Sequence, residues 1–205
     1  MFTLDHLVIA ANTLDEGVRY VEQALGVPLA NGGEHAAMGT HNKLLHLGPG
    51  VYLEVIAINP KAPAQPHARW YDLDCFTGAP RLTNWAAQVD DLDAAIDESP
   101  SDVGAPMDLV RGDLRWRMAV PGDGKLPFDG AFPGLIEWKG AAHPAERLPD
   151  VDCRLKGMEI AHPKASELRL ALTGLLDDPR VAVVDGPAME IRAHIQTPAG
   201  EVVLS

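Results

Sequence analysis

Three ionisable residues stand where an apolar strand would normally exclude them. His6 lies between Leu4 and Val8 in the run Leu4 to Ala10, Glu54 is enclosed by Leu53 and Val55 in Val-Tyr-Leu-Glu-Val-Ile, and Glu137 sits in Leu-Ile-Glu-Trp. A carboxylate buried without a partner costs several kcal/mol or takes up a proton, so two of them require a cation, a donor network or water. Imidazole nitrogen and carboxylate oxygen together suit zinc, nickel, manganese or ferrous iron, and one shared divalent metal would satisfy all three residues. Such an ion polarises a substrate carbonyl or enediolate. A loosely held glutamate beside it exchanges protons at the adjoining carbon, with Glu137 the first candidate for that base and Glu54 nearly its equal. Taken singly, His6 reads instead as a strand histidine bonded to nearby backbone, and each glutamate as a solvent-facing residue of an antiparallel sheet.

Other polar groups are candidates for holding a substrate. Asn84 occupies in a later strand the place that His6 holds in the first. His35 and His41 share a strand face if the strand is unbroken through Gly39-Thr40. Of the two, His35 is a candidate substrate contact or auxiliary ligand, whereas His41 reads as a turn or surface residue. Arg115 and Arg117 alternate with Trp116, an arrangement able to grip a carboxylate with an arginine fork; the alternative is a pair of solvated rim charges. His143-Pro144 and His162-Pro163 read as loop or strand-end dipeptides with no catalytic task. No Walker-type glycine loop, dinucleotide fingerprint, Cys-x-x-Cys pair or Gly-x-Ser-x-Gly elbow is present.

These residues need strands to position them, and the hydrophobic periodicity supplies the strands. Leu4 to Ala10 reads as one. Asn12 and Thr13 can cap a helix whose Leu14, Val18, Val21 and Leu25 recur at helical spacing up to the stop at Gly26. Asn31-Gly32-Gly33 reads as a turn, followed by strands over 34–39, 43–47 and 51–58. After a proline-bearing connector over 61–80 the same order returns: a strand at 82–89, a helix at 92–98, then strands at 107–110, 114–120 and 134–138. Aligning Leu4 with Leu82 also pairs Leu14 with Leu92, Asp15 with Asp93 and Val18 with Ile96. A weaker third copy begins at Leu155, with a helix over 166–176 and strands at 181–184, 189–196 and 202–204. The expectation is an α+β fold: a first βαβββ module over 1–60, a second over 81–145 and a βαβββ-like extension over 150–205. Together they form one compact unit with a curved mixed sheet around a cleft.

Leu4-Asp5-His6-Leu7-Val8, the segment from His35 through Met38-Gly39-Thr40-His41-Asn42 to Leu44, Tyr52-Leu53-Glu54 and Leu135-Ile136-Glu137-Trp138 resemble the signatures of the glyoxalase-like branch of the vicinal-oxygen-chelate superfamily. The likeness covers about residues 1 to 165. It implies paired modules whose first and last strands offer ligands to a divalent metal, with His6, Glu54 and Glu137 matching the ligand types. Asn84 departs from the pattern, standing where relatives often have a second histidine. The resemblance implies a metal-assisted isomerase or lyase that stabilises an enediolate of a small oxygenated metabolite. The alternative is a non-catalytic protein of the bleomycin-resistance type that sequesters a small molecule, and a ferrous oxygenase is a third reading.

Composition narrows the partners. Lys and Arg number 17 against 29 Asp and Glu, a net charge of −12 that repels phosphate backbones and excludes nucleic acid as a natural partner. No apolar stretch is long enough to span a bilayer. The N-terminus lacks the basic region of a signal peptide and only Cys75 and Cys153 are present, which suits a cytoplasmic location with both thiols free. The third segment serves either as a cap on the sheet or as the surface of a homodimer.

Overall fold

A computed structural model describes all residues, 1–205. The first module comprises β1 (Thr3–Ala10), α1 (Leu14–Leu25), β2 (Ala30–His35), β3 (Thr40–His46) and β4 (Tyr52–Ile58). The second comprises β5 (Arg81–Gln88), α2 (Leu92–Asp97), β6 (Ala105–Arg111), β7 (Leu114–Val120) and β8 (Gly134–Trp138). The C-terminal segment holds β9 (Arg154–His162), α3 (Ala165–Leu172), β10 (Val181–Asp185), β11 (Glu190–Thr197) and β12 (Gly200–Leu204). Helix α1 begins where the Thr13 hydroxyl accepts the Glu16 N–H and stops at Gly26, whose φ of 70° closes the last turn.

The two modules merge into one eight-stranded sheet in the order β2-β3-β4-β1-β5-β8-β7-β6. Each module pairs its first strand parallel with its last, and β1 joins the modules by running antiparallel to β5. The sheet curls until its outer strands, β2 and β6, meet. Its convex face carries Leu7, Ile9, Leu53, Val55, Trp85 and Leu135 into a core shared with α1, α2 and the C-terminal sheet. Its concave face carries Val8, Ile56, Ala86, Met118 and Ile136 and is closed by Trp70, Tyr71 and Leu73 of the connector.

Two expectations are corrected. Asn31-Gly32-Gly33 is no turn but lies within β2, where the β2–β3 register shifts between Asn31 and Glu34; the strand expected over 34–39 ends at His35. The two glycines let side chains lie against the backbone: a Cβ at Gly32 would stand 1.9 Å from Asn42 Oδ1, and one at Gly33 2.8 Å from Arg111 Cδ. Helix α3 stops at Leu172, because Leu175 and Leu176 instead meet Phe2 through backbone contacts. The C-terminal segment repeats the element order of the modules yet forms a separate sheet, β10-β9-β11-β12, in which the first strand pairs with the second and third strands. No helix is long and apolar enough to cross a membrane.

Candidate functional site

Asp5 and His6 are adjacent in β1 and would face opposite sides of a regular strand. Leu4 pairs with Ala87 and His6 with Ala86, so Asp5 is an extra, bulged residue. The bulge brings its carboxylate to the His6 ring: Oδ1 lies 2.5 Å from His6 Nδ1, while Oδ2 accepts the Trp138 indole N–H at 2.8 Å and faces His143 Nε2 at 3.0 Å. Burial of Asp5 desolvates it and works to raise its pKa. Hydrogen bonds from His143 and His6, with the charges of those rings, outweigh this and hold the carboxyl well below the usual range. An ionised carboxylate only accepts, so His6 carries its proton on Nδ1 and presents Nε2 to the cleft. The ring is further fixed by stacking on Tyr52, with centroids 4.6 Å apart.

Around Nε2 stand the Tyr71 hydroxyl at 3.3 Å and Glu54 Oε2 at 3.6 Å. Glu54 Oε1 accepts the Asn42 amide at 2.5 Å, and Asn42 Oδ1 accepts from the Gly33 N–H and from Arg111 Nη1. Arg111, at the end of β6, reaches across the gap between the sheet edges. It donates to His35 Nε2 at 3.1 Å, while His35 Nδ1 donates to the Thr40 hydroxyl at 3.0 Å. Burial, opposed by the charge of Glu54 and reinforced by that of Arg111, lowers the His35 pKa to about 4, so at neutral pH its ring is an uncharged acceptor for the guanidinium. The phenols of Tyr52 and Tyr71 are pushed well above their ordinary value, first by burial and then by the charges of Asp5 and Glu54.

The cavity between these groups measures about 20 Å³, enough for roughly one water molecule. Trp70 and Tyr71, from the segment read as loop, plug it, and the Trp70 indole N–H is buried without a partner in the protein. Tyr71 and Asp72 hold φ of 59° and 51°, left-handed values that cost a non-glycine residue roughly 1–2 kcal/mol each.

Of the residues singled out in the sequence, His6, Glu54 and His35 meet in this cleft and Glu137 does not. Within β8, Ile136 and Trp138 face the cleft, so Glu137, one residue out of phase, faces the helices. There it pairs with Lys139 and, at 3.4 Å, with Arg117. Arg117 grips Asp93 of α2 through two bonds at 2.8 and 2.9 Å, and Arg115 donates to the carbonyls of Gly112 and Leu114. The arginine fork across Trp116 thus points away from the cleft, because Trp116 itself takes the inner position. Asn84 is buried on the inner face, but 3.5 Å from the Gly130 carbonyl and beside a second cavity.

The donor set does not fit a resident divalent ion. His6 and Glu54 supply two ligands, no group of three or more His, Cys, Asp or Glu is placed to hold a metal, and the inner positions of β5 and β8 carry Asn84, Ala86, Gly134, Ile136 and Trp138. Glu54 already has the Asn42 amide on one oxygen, and Arg111 supplies positive charge nearby. Sequence reasoning passed over Asp5 as a functional group, Arg111 and Tyr71. Two adjacent polar residues in an apolar strand were the signal for Asp5; Arg111 left none beyond sharing a strand face with Leu109.

The sequence model of the glyoxalase-like domain family matches residues 4–176. No curated protein matches the chain. Among solved structures, a hypothetical protein from Staphylococcus aureus is similar with a TM-score of 0.62 and 12% identity, covering 93% of this chain and 88% of its own. Methylmalonyl-CoA epimerase from Mycobacterium tuberculosis is 20% identical over 68% of this chain and 88% of its own, with a TM-score of 0.44. The Streptomyces coelicolor methylmalonyl-CoA epimerase in complex with 2-nitronate-propionyl-CoA is 15% identical over 69% and 100%, with a TM-score of 0.46. At these identities the likeness is one of fold, and the two epimerase overlaps say nothing about chemistry.

Proposed function

The chain belongs to the glyoxalase-like domain family, and from that premise we propose that it moves a proton at the carbon beside a carbonyl of a small oxygenated acid, as an isomerase or lyase. The observation that carries this reading is the bulged Asp5–His6 pair, which aims Nε2 into a nearly dry cleft. In the reaction, Nε2 takes the proton from the carbon and the electron pair moves onto the carbonyl oxygen as an enolate. The resulting imidazolium is stabilised by Asp5 on one side and Glu54 on the other. The Tyr71 hydroxyl, the unpartnered Trp70 N–H and the Arg111 guanidinium are the donors available to the enolate and its neighbouring carboxylate. Return of the proton gives isomerisation; loss of a group from the next carbon gives elimination.

For the divalent metal that the resemblance implies, only His6 and Glu54 remain as ligands in the cleft. The second reading, sequestration of a small molecule without chemistry, is favoured by the absence of any ionisable group on the cleft side of β5 and β8.

Proton NMR in D2O separates the two. The wild-type protein is expected to exchange deuterium into pyruvate or phenylpyruvate at the carbon beside the carbonyl, and His6→Gln to lose about 10²–10⁴ of that rate while still binding the acid. Binding by the wild type with no exchange above the buffer rate establishes the sequestering protein instead.

A further inference from the structure

A cavity of about 820 Å³ lies beside the His6 cleft, within the range of roughly 300–1,000 Å³ that accommodates drug-sized ligands. It is walled by the connector, the start of β5, the loop from Leu126 to Gly130, and Met189 and Glu190 of the C-terminal segment. Tyr71 belongs to both cavities. Its hydroxyl is 3.3 Å from His6 Nε2, so this one residue stands between the large chamber and the proton-transfer group.

The chamber has a definite chemistry. Phe76, Leu82, Leu126 and Met189 give it apolar walls, and the Thr83 hydroxyl on its lining is buried without a hydrogen-bond partner. Two of its carboxylates have cationic partners in the protein. Asp72 faces Lys125 at 3.8 Å and Glu190 pairs with Arg192 at 2.5 Å. Arg81 donates to the carbonyls of Thr77 and Ala79 and lies over the Phe76 ring. An uncharged body with one hydrogen-bonding group fits the apolar part of these walls and the Thr83 hydroxyl.

We infer that the chamber holds the uncharged alkyl or aryl body of the substrate, whose oxo-acid head reaches His6 and Arg111 by displacing Tyr71 and Trp70 from the cleft they plug. The ligand class is thus the 2-oxo acids with a long or aromatic side chain. This rests on the proton-transfer reading for the placement of the head alone. It gives the C-terminal segment a part in specificity, since Met189 and Glu190 line the chamber.

Calorimetric titration with pyruvate, 2-oxooctanoate and phenylpyruvate tests it. The two larger acids are expected to bind at least about tenfold more tightly than pyruvate, and Met189→Trp and Ala79→Trp, which fill the chamber, are expected to cut that ratio below about threefold. Equal affinities in the wild type, or a ratio unchanged in both variants, overturn the inference. If the variants fail to fold, the wild type still decides. Cys75 is exposed on the chamber and Cys153 is buried, so bimane attaches selectively at Cys75. Its emission is expected to shift with 2-oxooctanoate and not with pyruvate, and an unshifted spectrum overturns the inference. Affinity ratios are read independently of deuterium exchange. Absent exchange with an intact ratio removes the proton-transfer reading and leaves the chamber, and the reverse removes the chamber alone.

Discussion

Replacing Asp5 by Asn preserves the shape of the side chain and reverses the proton on His6. The Asp5 carboxylate is wholly buried and takes three donors, at 2.5 Å from His6, 2.8 Å from Trp138 and 3.0 Å from His143. Hydrogen bonds to a charged group contribute about 1.5–3 kcal/mol each and neutral ones about 1, so loss of the charge removes roughly 3 kcal/mol over the three bonds. An amide also presents an NH2 where one oxygen stood. If it faces His6, Nδ1 must become the acceptor and the proton moves to Nε2, so the base no longer has a lone pair for the cleft. The exchange rate is then expected to fall by about 10²–10⁴, the range over which such a tautomer change acts in catalytic dyads. Nitrogen-15 NMR reads the His6 tautomer directly, urea unfolding reads the stability, and deuterium exchange reads the rate. A variant that keeps the Nδ1–H form and exchanges within about threefold of wild type would refute the assignment of Asp5 as the group that orients His6.

Three further outcomes follow from the same geometry. Gly33→Ala places a Cβ 2.8 Å from Arg111 Cδ and is expected to weaken oxo-acid binding by roughly tenfold through displacement of the guanidinium, with unfolding stability lowered by no more than about 1 kcal/mol; calorimetry on both proteins checks this. His35 titrates near 4 folded against 6.5 in a free chain, so between those values the unfolded state binds the additional proton and stability falls as pH falls. Urea unfolding at pH 7 and pH 5 is expected to differ by about 2 kcal/mol from this group, and His35→Gln to flatten that slope. Below pH 4 the carboxyl of Asp5, held well under its ordinary value, extends the loss. Finally, Glu54→Gln is expected to reduce deuterium exchange by about 10² or more and Glu137→Ala by less than about threefold, because only Glu54 faces His6; equal losses in the two would contradict the facing assigned to β8.

What the sequence disclosed and what it withheld divide along one physical line. Strand and helix positions were legible because they follow local periodicity: β7 and β8 and helix α1 fall on the residues their patterns indicate. His6 and Glu54 were legible because both lie in strands whose other inner residues are apolar. Glu137 was misplaced because β8 is covered on both faces, so Leu135-Ile136-Glu137-Trp138 has no polar alternation from which to read its phase. Arg111 was invisible for a different reason: its partners, His35 and Asn42, lie far away in the chain and meet it only because the sheet curls until β2 reaches β6. Tyr71 depends on a pair of left-handed residues that no turn signal announces. Asp5 is the instructive case. Two neighbouring polar residues cannot both face the interior of a regular strand, so Asp5-His6 inside Leu4 to Ala10 already implied an irregularity that turns one of them. A bulge is local and its sequence trace is short, whereas the face of an isolated glutamate is set by a register fixed elsewhere. The dipeptide was therefore a stronger pointer to the site than the two glutamates at matching places.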